Sequence, residues 1–385
     1  MKRFGPAFEV RDFRLWWLAL LGMGISLQMI EVVIGWQVYG LHRSALDLGW
    51  IGLALISAAG VTEVWAYLAM AMGAGTAMAL GWPAARAMPP TLVSVEALPN
   101  AMVLRSIASQ TGMVIGPAIG GLLYGVSAVV VYLVAAASCV LASVSVAAMR
   151  PAPAADVPRP AGEAGQPATV SGLLEGLRFV RRTQVLLGAI LLDLLAVLFG
   201  GAVALLPIFA RSILHVGATG LGVLRAAPAV GALLAAAYVT RRPIAGRAGR
   251  TLLIAVGLYG ASIVVFGLSR TFVLSLLALG VGGFVDLYSM NIRSTIVALA
   301  SPDRLRGRVN AVEMVFISAS NQLGAFESGL AAYLVGTVPA VVGGGVMTML
   351  IAVSWSRMFP ALAEVDRLED VQAPEPGPAE LELVA

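Results

Sequence analysis

The sequence predicts an all-α polytopic membrane protein with about ten full transmembrane helices. Its residues are 59% hydrophobic and 12% charged, with a mean hydropathy of +0.89, which is far from the composition of soluble domains. Its apolar runs have the length of about 20 residues that a helix needs to cross a bilayer. Its basic residues lie in short tracts between these runs, a pattern typical of membrane proteins with a fixed orientation.

Ten apolar runs are long enough to cross the membrane. They fall near residues 13–39, 63–85, 100–125, 126–148, 185–210, 217–240, 251–269, 272–297, 309–336 and 338–359. Between the first two runs lies DLGWIGLALISAAGVTEVW, in which 15 uncharged residues separate Asp47 from Glu63. Whether this short stretch crosses the membrane decides the orientation of every later loop.

The distribution of Lys and Arg answers this question. If the stretch does not cross, three of the 25 basic residues (Arg43, Arg211 and Arg270) fall outside and Arg225 lies within a span, so that the remaining 21 fall inside. If it does cross, most of them fall outside, against the positive-inside rule. We therefore predict a re-entrant or surface segment at 48–62, with both termini in the cytoplasm.

The chain divides into four predicted parts. An N-terminal helical bundle (1–149) and a C-terminal six-helix bundle (173–360) are joined by a cytoplasmic linker (150–172) that is rich in Pro and Ala. The acidic, Pro-bearing tail (361–385) is predicted to be disordered in the cytoplasm.

The two bundles show an internal repeat, which is typical of transporter folds. Residues 82–102 resemble 290–312, so that Arg86 is equivalent to Arg293. From Phe13 to Arg86 the chain advances 73 residues, whereas from Phe179 to Arg293 it advances 114, a difference of about 41. We predict that the N-terminal bundle lacks a pair of spans, the second and third of a six-span half, which preserves its orientation.

Five motifs resemble those of one transporter family. They are DFRLWWLALL (12–21), GPAIGG (116–121), LLEGLRFVRR (173–182), LRAAPAVGALL (224–234) and RGRVNAVEMVFISASNQLGAFESG (306–329). Through them the chain resembles major facilitator superfamily transporters, and among these the bacterial drug and siderophore exporters that are similar to the enterobactin exporter. The resemblance covers about residues 10–365 and implies a two-bundle fold in a bacterial inner membrane.

The resemblance also implies functions for two motifs. GPAIGG resembles the antiporter motif of exporters in this family, with candidate residues Gly112, Gly116, Pro117, Gly120 and Gly121. The family's Gly-x-x-x-Asp-Arg-type loop between the second and third spans would fall in the missing pair, and RRPIAGRAGR (241–250) is its degenerate counterpart in the second half. The physical reading of GPAIGG, a kinked helix that packs closely on another, is compatible with a gating function.

Ionisable residues inside spans are costly, so they are functional candidates by default. Five fit this description: Glu31, Asp193, Arg225, Asp286 and Glu327. Each shares its helix face with small residues that permit close helix approach, so we expect all five to point inward. Gln28, on the stripe of Glu31, and Asn321 are further candidates for substrate binding.

Four acids against one arginine leave carboxylates that can take up and release protons. Our hypothesis is that Asp193, Asp286 or Glu327, together with Glu31, couples proton entry to substrate exit, while Arg225 pairs alternately with one acid. The alternative is that some of these residues form interhelical ion pairs that hold the bundle together.

The basic tracts near the cytoplasmic ends also allow two interpretations. They comprise Arg241, Arg242, Arg247, Arg250, Arg304, Arg306 and Arg308. Plain positive-inside anchoring explains them. The alternative is a cytoplasmic gate in which they pair with acids across the halves, with Asp303 and Glu313 as local candidates.

The sequence contains no phosphate-binding loop, metal-ligand cluster or Ser/His/Asp pattern, so we predict a transporter rather than an enzyme, without cofactor or metal. Its predicted partners are a small-molecule substrate, protons and the lipid bilayer, with no nucleic acid, and the protein is expected to be a monomer. The predicted function is secondary active transport, with proton-coupled efflux of amphipathic drugs or siderophores by alternating access. The alternatives are a truncated, transport-inactive membrane protein, and uptake rather than export.

Overall fold

The computed structural model describes residues 6–42, 88–94, 97–150, 170–241 and 246–366. Within these ranges the chain is helical and has no strand. The described residues form ten helices of 13 residues or more: α1 (Arg11–His42), α2 (Leu98–Tyr124), α3 (Ala128–Ala147), α4 (Val170–Arg182), α5 (Gln184–Phe199), α6 (Gly217–Arg241), α7 (Ala248–Leu268), α8 (Phe272–Ala300), α9 (Asp303–Val335) and α10 (Thr337–Met358). The segment at 48–62 and the span at 63–85 lie outside the described residues.

In the part of the chain that the structure describes, eight helical segments are long and apolar enough to cross a bilayer. They are Arg11–Ile34, Asn100–Tyr124, Ala128–Ala147, Gln184–Ile213, Gly217–Val239, Ala248–Leu268, Phe272–Ala300 and Thr337–Met358. The ninth predicted span within the described ranges, at 309–336, is the C-terminal part of the 33-residue helix α9. This helix is long enough to cross, but it carries polar side chains such as Asn310, Ser318 and Asn321.

The span Gln184–Ile213 is interrupted, whereas the sequence predicted a continuous helix at 185–210. Helix α5 ends at Phe199, and a 3-10 turn and a short π-helical segment follow the pair Gly200–Gly201. A Cβ atom on Gly200 would lie 2.6 Å from the Tyr259 ring, and one on Gly201 would lie 3.0 Å from the Ser328 hydroxyl. The Tyr259 hydroxyl donates a hydrogen bond to the Gly200 carbonyl over 3.1 Å, so a side chain satisfies a carbonyl at the break.

In the first half, α1 packs against both α2 and α3. The α2 glycines at four-residue spacing face α1, where a Cβ on Gly116 would lie 2.5 Å from Gln28 Cβ and one on Gly120 would lie 2.9 Å from Met29 Cα. Gly112 lies opposite Gly24 in the same row. Small residues thus allow the two backbones to approach closely, as the GPAIGG motif predicted.

In the second half, helices α5 and α7 to α10 share a core at the end that the charge count assigns to the cytoplasm, called the inner end below. Leu186, Leu252 and Ile292 are fully buried there. The amphipathic helix α4 covers this end, and a Cβ on Gly176 would lie 2.8 Å from the Arg308 carbonyl oxygen of α9. The apolar face of α4 therefore ties the end of the linker to the second half.

The start of the predicted tail also packs on this end. Residues Pro360–Ala363 form a short helix, and Leu362 is fully buried. The backbone N–H of Ala248 donates to the Asp366 carbonyl over 2.9 Å, and the Asp366 carboxylate accepts from the Arg247 N–H over 2.8 Å. These contacts satisfy donors at the N-terminus of α7.

The two halves meet at the opposite, outer end of the helices. There Val32 of α1 lies in one hydrophobic cluster with Leu205 and Leu221 of the second half, and α2 packs along α6. At the inner end, Phe13 and Trp16 belong to a cluster formed within the first half. The hydrophobic contacts between the halves are therefore concentrated at the outer end of the described helices.

Candidate functional site

An ion pair joins the two halves near their outer end. The Arg225 guanidinium on α6 donates a hydrogen bond to the Glu31 carboxylate on α1. The Arg225 side chain is 13% exposed, whereas that of Glu31 is 56% exposed. The structure therefore brings together two of the five ionisable candidates, and Glu31 is less enclosed than the prediction of an inward-pointing acid implies.

A glycine crossing lies beside this pair. A Cβ on Gly121 of α2 would lie 2.8 Å from Gly222 Cα of α6, and one on Gly222 would lie 2.4 Å from the Pro117 carbonyl oxygen. The Thr219 hydroxyl donates to the Gly121 carbonyl over 3.3 Å. The last glycine of GPAIGG therefore contacts the second half, whereas the others pack on α1.

A second charge cluster lies inside the second half, nearer the inner end. Arg293 of α8 donates from Nη1 to Asp193 Oδ1 of α5, and its Nε lies 3.8 Å from Glu313 Oε1 of α9. The Arg293 side chain is 8% exposed, and its Nε has no hydrogen-bond partner. A cavity of about 10 Å³ beside it is also lined by Tyr259 and Asp286, and this space is close to the minimum for one water molecule.

Arg293 corrects the charge count made from the sequence. That count took Arg225 as the single arginine inside a span and assigned Arg293 to the cytoplasmic side. Arg293 lies inside α8 and is instead a second enclosed arginine, which faces a carboxylate. The signal was present in the sequence, since Asp286, Ser289 and Arg293 recur at helical spacing on one face.

Two helices of the second half expose a polar face in addition to an apolar one. On α8, Asp286, Met290 and Ser294 are exposed opposite to Leu277 and Val281. On α9, the exposed polar stripe consists of Asn310, Ser318 and Asn321, with Met314 among them. The exposed apolar stripe of the same helix consists of Val315, Ala319, Leu323, Leu330 and Leu334. A spanning helix with two opposed exposed faces borders lipid on the apolar side, so the polar stripes face the space between the halves.

The remaining candidates within the spans lie apart from both clusters. Glu327 is half-buried and has the Ser328 hydroxyl 3.5 Å from its carboxylate. Asn321 donates its side-chain amide to the Ile317 carbonyl of its own helix over 2.9 Å. Gln28 packs on Gly116 within the first half.

The basic residues of the predicted cytoplasmic gate are dispersed. Arg308 pairs with Glu175 of α4, within the same half, and Glu313 lies near Arg293. The side chains of Arg241, Arg247, Arg250 and Arg306 are exposed, Arg304 belongs to α9, and Arg242 lies outside the described residues. Arg308 therefore pairs with neither of the acids proposed from the sequence, Asp303 and Glu313. It pairs with Glu175 instead, because α4 packs directly on the start of α9. In the ranges that the structure describes, no group of three or more His, Cys, Asp or Glu side chains is arranged to hold a metal ion.

Comparisons with known proteins identify the family. A family model described as "transmembrane secretion effector" matches residues 41–382. The enterobactin exporter EntS of Shigella boydii serotype 4 (strain Sb227) is 25% identical over 367 residues, which cover 88% of this chain and 84% of that protein. The enterobactin exporter EntS of Citrobacter koseri (strain ATCC BAA-895 / CDC 4225-83 / SGSC4696) is 26% identical over 362 residues, with coverage of 86% and 83%.

Solved structures show the same fold at low sequence identity. A bacterial homologue of the human lysosomal transporter Spinster, in an inward-facing and occupied conformation, aligns with a TM-score of 0.63 and 14% identity over 94% of this chain and 97% of that one. The nucleoside transporter NupG aligns with a TM-score of 0.59 and 15% identity over 91% and 97%. The predicted major facilitator-type fold is confirmed. The chain therefore belongs to the transmembrane secretion effector family of the major facilitator superfamily, and it is an all-α, multi-pass membrane transporter rather than an enzyme.

Proposed function

We propose that this transporter is a proton-coupled exporter of amphipathic small molecules, which works by alternating access between its two halves. The ion pair between Glu31 and Arg225 carries the proposal, because it joins the halves at the end where they meet. Substrate release at the outer end requires this contact to open. A proton on Glu31 removes one charge of the pair and weakens it, which links proton binding to opening.

The substrate class follows from the polar stripes. Met290 and Met314 are adaptable apolar surfaces, whereas Asn310 and Ser318 offer hydrogen bonds without charge. Such a surface fits molecules that have an apolar body and polar substituents, as drugs and siderophores have. Efflux is supported by the relatives, which are named as exporters of enterobactin.

The proposal also includes the membrane, the oligomeric state and the orientation of the chain. The chain works as a monomer in a bacterial inner membrane, with both termini in the cytoplasm. The crowding of arginines at the inner end supports this orientation. In this conformation the halves converge at the outer end, which supports access to the polar stripes from the cytoplasm.

Transport in inverted vesicles tests the proposal. The full chain is expected to accumulate a fluorescent cationic dye when a proton gradient is applied, and to lose accumulation when the gradient is collapsed. The amide variants Glu31→Gln, Asp193→Asn, Asp286→Asn and Glu327→Gln are compared at equal membrane insertion. Persistence of accumulation after collapse of the gradient, or unchanged transport in all four variants, would contradict proton coupling.

A groove in the first half favours a second candidate function, that of a membrane protein that inserts but does not transport. The groove has a volume of about 560 Å³ and is lined mainly by residues of α1 and α3, among them Trp16, Leu20 and Cys139, with Met88 at its edge. Among the described residues of the first half, α1 and α3 therefore leave a space between them along this side. Inserting about 41 residues patterned on 217–272 distinguishes an exporter from a membrane protein that does not transport. If only the lengthened chain transports, the natural chain is the inactive membrane protein.

A further inference from the structure

Arg293 stands between two carboxylates that belong to different helices. Its Nη1 is hydrogen-bonded to Asp193 of α5, and its Nε points toward Glu313 of α9 at 3.8 Å. A hydrogen bond of this type requires about 2.9 Å, so a shift of roughly 1 Å would complete the second contact. The side chain is thus bonded to one acid and poised beside another.

The unpaired Nε makes this arrangement changeable. It is buried and has no hydrogen-bond partner, and a buried donor without an acceptor is unfavourable. Movement toward Glu313 would satisfy Nε, and the present position satisfies Nη1 through Asp193. Each position therefore leaves one interaction unmet while both acids are ionised.

The charge balance decides which position is preferred. The ionisable groups that face Arg293 or share its cavity are Asp193 on α5, Tyr259 on α7, Asp286 on α8 and Glu313 on α9. One guanidinium cannot neutralise three carboxylates in a membrane-embedded site. Neutralising Asp193 with a proton removes its attraction for Arg293, while the attraction of Glu313 remains.

We propose that Arg293 is a two-position switch, which leaves Asp193 for Glu313 when Asp193 binds a proton. The proposal rests on the proposed proton-coupled function and names the contact that senses the proton. Asp193 accepts the proton from water on a carboxylate oxygen, and Arg293 remains charged and acts as a positioning residue. The exchange replaces a link between α8 and α5 with a link between α8 and α9.

The consequence falls on the polar stripe of α9. Glu313 lies on α9 between Asn310 and Ser318, and Arg308 of the same helix is paired with α4 at the inner end. Drawing Glu313 toward α8 therefore brings the polar stripes of α8 and α9 closer together. A proton at Asp193 thereby changes the surface that the substrate meets.

A distance measurement tests the switch without depending on transport. Spin labels are placed on Ser294→Cys of α8 and Ser318→Cys of α9 in the full chain carrying Cys139→Ser. We expect the distance between the labels to shorten as the pH falls, and to stay short at every pH in Asp193→Asn. A distance that does not change with pH, or an Asp193→Asn variant that matches the unsubstituted pair at every pH, would overturn the proposal.

Gradient-driven dye transport gives the second readout. Glu313→Gln keeps the Asp193 pair but removes the alternative partner, so we expect transport to lose its pH dependence while insertion is unchanged. The matched control is Glu175→Gln, which also removes a carboxylate paired with an arginine of α9 and should keep the pH profile. A pH profile of Glu313→Gln that equals that of the control would also refute the switch.

These two readouts separate the failures. A chain that shows the pH-dependent distance but no gradient-driven transport would retain the switch and refute the proposed function. A chain that transports with the gradient but shows no distance change would retain the proposed function and refute the switch.

Discussion

Glu31 of α1 and Arg225 of α6 form an ion pair that links the two halves of the transporter, although 194 residues separate them in the chain. The two partners differ in environment, since the carboxylate is mostly exposed and the guanidinium is largely enclosed. Loss of the Glu31 carboxylate should therefore have a different effect on stability from loss of the Arg225 guanidinium.

Removing Glu31 should be more damaging to stability than removing Arg225. Glu31→Gln leaves a largely buried guanidinium without its anion, at a cost of about 1–3 kcal/mol, whereas Arg225→Gln leaves a carboxylate that water can solvate. Unfolding temperatures of the purified variants check this order. The double swap Glu31→Arg with Arg225→Glu should recover part of the lost unfolding temperature. A double swap that unfolds at or below the temperature of the less stable single variant would contradict a direct ion pair.

The glycine crossing should tolerate no added methyl group. Gly222→Ala places a Cβ 2.4 Å from a backbone oxygen, so the helices must separate, and overpacking of this kind costs about 1–3 kcal/mol. Gly343→Ala on α10 is the control, because a Cβ there meets nothing within 4 Å. Thermal unfolding in detergent and dye efflux are the measurements, and equal behaviour of the two variants would contradict the close approach.

Opposite faces of α8 should differ in access to water. In a Cys139→Ser background, Ser294→Cys lies on the polar stripe and Leu277→Cys on the apolar face. A membrane-impermeant maleimide applied from the inner side should label the first rapidly and the second slowly, because thiols in lipid do not ionise readily. Similar labelling of both would show that the polar stripe does not border an open space.

The contact between the tail and α7 should contribute modestly to stability. Asp366→Ala removes the carboxylate that accepts the Arg247 N–H, and an exposed hydrogen bond of this type is worth about 1 kcal/mol. We expect a small decrease in unfolding temperature and faster proteolysis of the tail. Glu364→Ala, an exposed change on the same segment, should leave both unchanged, and an effect as large as that of Asp366→Ala would argue against a specific contact.

The sequence predicted the helices well because membrane spans depend on local hydropathy and length. Nine of the ten predicted spans lie in the described ranges, where eight are continuous helices, among them the polar helix α9, and one is interrupted after Phe199. The break after Phe199 was missed because it depends on Tyr259 and Ser328, which contact Gly200 and Gly201 from other helices. Such contacts leave no local pattern.

The sequence predicted most of the charged residues of the candidate site but not which of them form ion pairs. Arg225, Asp193 and Glu31 were identified from the cost of charge in a membrane, which needs only the sequence. Their partners are 194 and 100 residues away along the chain, and one sequence contains no information on which helices adjoin. Arg293 was counted with the cytoplasmic charges although it lies within the predicted span at 272–297, because an arginine near the end of a span is usually an anchoring residue.

The crossing of Gly121 and Gly222 has a mechanical consequence. Helices that interlock through side-chain ridges resist both sliding and rotation, whereas here backbone meets backbone at the contact. Two smooth surfaces of this kind can turn about their point of contact while they stay together. The crossing is therefore suited to act as a pivot, about which the two helices can tilt as the contact between Glu31 and Arg225 beside it opens.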